Sequence, residues 1–145
     1  MMMEVMIQFV VAAFATLSFA VLYNAPKKEL ILCGISGAIG WVIYVILLNT
    51  SDSAVLANLI GTFTLAVYSR LIAAIRKKPA TLYLLTGIFP LVPGAAIYYT
   101  SYYVILGNDV MMAYYAKSTL GAVGAIVLGI SLAMLVPQSW FNKLS

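Results

Sequence analysis

Thr86-Gly87-Ile88-Phe89-Pro90-Leu91-Val92-Pro93-Gly94 lies inside a long apolar stretch running from about Ala80 to Tyr103. At about 1.5 Å per helical residue, Pro90 falls roughly 15 Å along from Ala80, near the middle of a ~30 Å hydrocarbon layer. Proline lacks the amide N–H, and its ring clashes with the carbonyl four residues back. Pro90 is therefore expected to free the carbonyl of Thr86, and Pro93 that of Phe89, while Gly94 supplies backbone freedom where the helix restarts. The prediction is a membrane helix broken near its centre. Unpaired backbone groups at that depth persist only where protein buries them or a water-filled cavity reaches them. The restarting half-helix would turn free N–H groups and a positive dipole end toward the midplane, which suits an anionic group such as a carboxylate. Tyr83, Thr86, Pro90, Pro93 and Gly94 fall within about 100° on a helical wheel, so one face carries both the polar groups and the break. The competing reading is a kinked helix whose freed carbonyls are satisfied by neighbouring side chains. Pro-x-x-Pro-Gly at midplane depth favours a binding site.

Outward from that stretch the whole chain is apolar. Of its 145 residues, 64% are hydrophobic and 8% charged, against about 45–50% and about 25% in soluble domains. A small soluble fold leaves too much surface in water to hide this excess. The composition implies an integral membrane protein and excludes a soluble enzyme or a nucleic-acid module. There is no His, and the single Cys is Cys33. Intrachain disulfides and His-ligated metal sites are thereby excluded, and the lone thiol reads as inert packing. Met1-Met2-Met3-Glu4 lacks the basic start of a secretory signal peptide, so the first apolar stretch reads as a retained helix.

Five stretches, about 5–23, 30–48, 54–75, 80–103 and 112–136, are long enough to span, given that a spanning helix needs roughly 20 residues. The expected fold is one all-α transmembrane domain: a bundle of five antiparallel helices, the fourth broken at Pro90 and Pro93-Gly94. Lys27, Lys28, Arg76, Lys77, Lys78 and Lys143 fall on one side of this bundle, and Glu4, Asp52 and Asp109 on the other. Positive loops stay cytoplasmic, which puts the N-terminus outside and the C-terminus inside. No internal repeat is evident. Many transporters combine two repeats of opposite orientation, so five spans read as half of such a machine.

Within the spans, Asn58, Thr62 and Ser69 align in a narrow polar stripe suited equally to helix–helix glue and to cavity lining. Arg70 lies off that stripe, placed either to snorkel to the cytoplasmic interface or to bind an anion. Lys117 shares a face of the fifth span with Gly121, Gly124 and Ser131. Small residues line packed interfaces, so this cation is expected to face protein or a cavity, or else to snorkel outward. Cys33, Gly37, Gly40, Trp41 and Tyr44 share a packing face of the second span. Tyr98, Tyr99, Tyr102, Tyr103, Tyr114 and Tyr115 cluster around the last connection as an aromatic belt or a substrate gate. No Asp or Glu falls inside a span, Glu29 being at an edge, so no proton relay is expected in this chain.

Asn24-Ala25-Pro26 with Lys27-Lys28, then Cys33-Gly34, Gly37-Ala38, Gly40-Trp41 and Tyr44, then Arg70, Lys78-Pro79 and Gly87 to Gly94 with Tyr98, resemble the threonine/serine exporter family. The resemblance is to its smaller, C-terminal-type half, which in many bacteria is a separate polypeptide of about this length. It covers nearly the whole chain, and the Pro-Leu-Val-Pro-Gly run is its most specific part. It implies a bacterial inner-membrane subunit paired with a larger family subunit. The implied cargo is small amino acids such as threonine and serine, or, as in some split members, a dicarboxylate such as succinate. Either cargo carries a carboxylate. The candidate substrate-binding residues, Thr86, Pro90, Pro93, Gly94, Lys117, Asn58, Arg70 and Tyr98, come from the physical reading, and no cofactor or metal is called for. Two other readings stay open: a non-transporting assembly subunit and a small-solute channel. An enzyme is disfavoured, since no nucleophile–base or metal-ligand pair is present.

Overall fold

The long helices end where the backbone turns left-handed or a proline intervenes. In the computed structural model, which describes residues 2–142, α1 (Met2–Leu22) is followed by Asn24 at φ 55° and by a 3₁₀ turn (Lys27–Glu29). Next comes α2 (Leu30–Ser51), and Asp52 at φ 49° turns the chain into α3 (Ala54–Arg76). Lys77 at φ 52° and then Pro79 separate α3 from α4 (Ala80–Gly87). A second 3₁₀ turn (Phe89–Leu91), α5 (Gly94–Ile105), α6 (Asp109–Leu135) and α7 (Gln138–Asn142) complete the order. Asn and Asp tolerate left-handed backbone. Lys77 is held there by two end-of-helix bonds, Lys78 N–H to the Ala73 carbonyl (3.0 Å) and Lys77 N–H to that of Ala74 (3.3 Å). Helix starts are capped by Ser53, which accepts from Leu56 N–H, and by Asn108, which accepts from Met111 N–H. That second cap starts α6 at Asp109 rather than near residue 112. Met1 and Lys143 lie outside the described residues.

α1, α2, α3 and α6 are each long and apolar enough to cross a bilayer, and α4 with α5 forms a pair bent by 53° at the break that passes the same test when taken together as one span. This is the membrane bundle, broken in its fourth span, that the apolar pattern and the prolines predict. α1 packs on α2, α2 on α3 and α3 on α6; α4 lies over α2 and α3, whereas α5 leans on α6. Leu65, Ala66, Leu84, Leu91 and Ala133 form the inner core, and Ala20, Cys33, Ala73 and Tyr83 a second cluster toward the Lys77 end. Close approach decides the seating of α6. A Cβ on Gly129 would stand 2.7 Å from the Leu59 carbonyl oxygen, so only glycine lets α6 lie this near α3. Large apolar side chains such as Ile7, Phe14, Leu120 and Leu135 stand exposed on the outer faces, a surface that acyl chains must cover.

Candidate functional site

The break is built by local hydrogen bonds. Ile88 N–H closes α4 on the Leu84 carbonyl (3.0 Å), and Leu91 N–H bonds the Ile88 carbonyl (2.9 Å). Val92 N–H reaches the Phe89 carbonyl at 3.3 Å, so the tighter 3₁₀ pattern satisfies the group that Pro93 was expected to free. Pro93 (φ −77°, ψ 57°) is the centre of an inverse γ-turn closed by Gly94 N–H on the Val92 carbonyl (2.8 Å). Gly94 does not adopt a positive φ, and a Cβ there would meet nothing within 4 Å. The next two amides, of Ala95 and Ala96, make no backbone hydrogen bond.

These groups face a cavity of about 300 Å³ whose walls include Tyr44, Asn58, Pro90, Pro93, Ala96 and Ser118. Asn58 is 4% exposed; its Nδ2 donates to the Ala54 carbonyl at 3.1 Å, and its Oδ1 has no partner. The contact to a carbonyl fixes which end of the amide is which, because only nitrogen can donate there. Residues lining the cavity thus include the start of α5, with its unbonded amides, and Asn58 of α3, whose orphaned Oδ1 is itself buried. A buried acceptor left unpaired costs about 1–3 kcal/mol.

Four of the eight candidate residues, Asn58, Pro90, Pro93 and Gly94, meet at this cavity. The other four do not. Thr86 is buried, and its hydroxyl is engaged with the Leu82 and Tyr83 carbonyls of its own helix (2.9 and 3.2 Å). Tyr98 is exposed and stacks on Tyr102, in a continuous chain of ring contacts through Tyr99, Tyr103, Tyr115 and Tyr114 that ties α5 to α6. Arg70 does not line the cavity. It is buried, donating to the carbonyls of Ala133 and Val136 and to Gln138 Oε1, with its guanidinium 4.7 Å from the centre of the Phe141 ring. It caps the C-terminal end of α6. Lys117 is exposed in a shallow depression that shares Val55 and Ser118 with the cavity wall. Of the small residues on its face, Gly121 lies against Val55, whereas Gly124 has nothing within 4 Å of a built Cβ and Ser131 is exposed; the closest approach of α6 to α3 is at Gly129.

One constellation escaped the sequence reading. Glu29, assigned to a span edge, is 2% exposed. Its carboxylate accepts from Arg76 Nη2 (2.7 Å), Arg76 Nε (3.1 Å) and the Tyr83 hydroxyl (2.8 Å). This clamp binds the start of α2 to the end of α3 and to α4, at the opposite end of α4 from the break. The available signal was that Glu29 and Arg76 carry opposite charges at the same end of adjacent antiparallel helices.

A family model described as Threonine/Serine exporter, ThrE matches residues 8–136. The chain belongs to the threonine/serine exporter family. No solved structure matches it. Membership in the threonine/serine exporters, a transporter family, together with the apolar spans, makes this chain a multi-pass membrane transport protein.

Proposed function

We propose that the chain is the smaller subunit of a split secondary exporter for small amino acids such as threonine and serine, acting in a bacterial inner membrane beside a larger family subunit. The observation that carries this reading is the pairing, at one cavity, of the unbonded Ala95 and Ala96 amides with the unpartnered Oδ1 of Asn58. The start of α5 carries a partial positive charge suited to a carboxylate. An amide oxygen with a free lone pair needs a donor, and the ammonium of an amino acid supplies one. A dicarboxylate would bring a second anion against that lone pair. The geometry therefore favours threonine and serine over succinate.

The larger subunit is supported by the surface beside the cavity. α5 has no buried residue, and Lys117, Gly124 and Ser131 of α6 are exposed in this chain. A lysine facing acyl chains is costly, and a second membrane protein covering that face removes the cost. Lys27, Lys28, Arg76, Lys77 and Lys78 at one end of the bundle support a cytoplasmic C-terminus, with the N-terminus outside.

The test is efflux of labelled threonine, serine and succinate from vesicles carrying both subunits. The expected result is saturable threonine and serine efflux with trans-stimulation, lost in Pro93→Ala. Transport surviving both Pro93→Ala and Lys117→Ala in an intact complex would leave this chain an assembly subunit. Flux that does not saturate would make it a channel.

A further inference from the structure

We propose that the groove between the end of α1 and the start of α4 holds one anionic phospholipid, with its phosphate at Lys78 and Thr81 and an acyl chain along Leu82 and Leu85. The groove has a volume of about 470 Å³ and is also walled by Tyr23 and Pro26. Beside it, the ring of Phe89 stacks on Phe19 at 4.1 Å and lies 5.7 Å from that of Tyr23. α1 and α4 are in contact, and the groove lies between the end of one and the start of the other.

The chemistry along the trench is graded. Leu85 and Tyr23, both more than half exposed, form apolar walls, while the mouth holds the ammonium of Lys78 and the hydroxyl of Thr81. Neither of these two groups makes a hydrogen bond or ion pair among the described residues. The nearby carboxylate of Glu29 is ion-paired with Arg76 and also feels the Lys78 charge, so one carboxylate faces two cations and the cluster keeps a positive charge in excess. Lys78 is also well anchored, by its N–H bond to the Ala73 carbonyl and by Pro79 after it. A cation at the polar end of an apolar trench matches a phosphodiester on a hydrocarbon tail. Basic pockets between spanning helices on the cytoplasmic side bind anionic headgroups. A free phosphate would leave the apolar walls unused. A zwitterionic headgroup would bring its own cation toward Lys27, Lys28, Lys77 and Lys78.

The test is native mass spectrometry of the full chain released from micelles that contain equal phosphatidylglycerol and phosphatidylethanolamine with identical acyl chains. One phosphatidylglycerol should be retained preferentially. Lys78→Gln should reduce that preference about fivefold, the effect of one lysine near an anionic surface. Leu85→Trp, which fills the trench, should lower retention of both lipids, and Lys28→Gln, outside the lining, should change nothing. Circular dichroism confirms that each variant remains helical. Equal retention of the two lipids would overturn the proposal. So would an equal effect of Lys28→Gln, which indicates diffuse surface attraction, or a Leu85→Trp variant that retains both lipids undiminished. None of these outcomes bears on the cavity at the break.

Discussion

Replacing Asn58 by Leu separates ligand binding from packing. In the structure Asn58 is buried, its only side-chain bond is to the Ala54 carbonyl of its own helix, and its Oδ1 is unpaired. Leucine keeps the branched skeleton, with bulkier methyls, and removes the orphaned acceptor, whose burial costs about 1–3 kcal/mol. The Tm of the purified complex is therefore expected to hold or rise. Binding should move the opposite way. A hydrogen bond between an ammonium and an amide oxygen is worth about 1.5–3 kcal/mol. At about 1.4 kcal/mol per tenfold, its loss raises the half-saturating threonine concentration about 10- to 140-fold. Efflux of labelled threonine from vesicles gives that concentration directly, and a thermal melt on the same sample gives the stability. A half-saturation shift below about twofold, with the complex intact, would refute the assignment of Asn58 to the ammonium. A fall in Tm that tracks the loss of transport would make Asn58 a packing residue instead.

Other substitutions test the remaining elements. Arg70→Met strips the cap from the end of α6 and is expected to cost about 1.5–3 kcal/mol; hydrogen exchange should speed up around 133–140 while threonine half-saturation stays put. Tyr83→Phe removes one of the hydrogen bonds to the buried Glu29 carboxylate and is expected to cost about 1 kcal/mol in thermal stability. Gly124→Leu points into open space within this chain, so its melting should be unchanged, whereas co-purification with the larger subunit should fall sharply.

Local chemistry was legible in the sequence, and meetings between distant residues were not. The spans follow from apolar length alone, and the break from what proline does to its own helix. Asn58 reached the candidate set because a polar stripe on one helix can be read by angular position. Its companionship with Pro93 could be guessed only from the expectation of a site. Arg70 looked available because its partners, the carbonyls of Ala133 and Val136, stand more than sixty positions later. Glu29 looked like an edge residue because its burial depends on how the end of α3 meets the start of α2. The packed side of α6 was not legible because apolar residues surround that helix. Periodicity then cannot choose the side, and Gly129, where a Cβ would clash with the Leu59 carbonyl, does.

The central claim is that irregular backbone in the lipid interior is wetted and reached by cargo. Cysteine accessibility tests it most directly. In a Cys33→Ser background, Gly94→Cys has room for its side chain, while Phe14→Cys on α1 looks outward, away from the face assigned to the larger subunit. In vesicles carrying both subunits, a membrane-impermeant thiol reagent is expected to label Gly94→Cys, with threonine slowing the reaction, and to leave Phe14→Cys untouched. Equal silence at both positions would contradict the account.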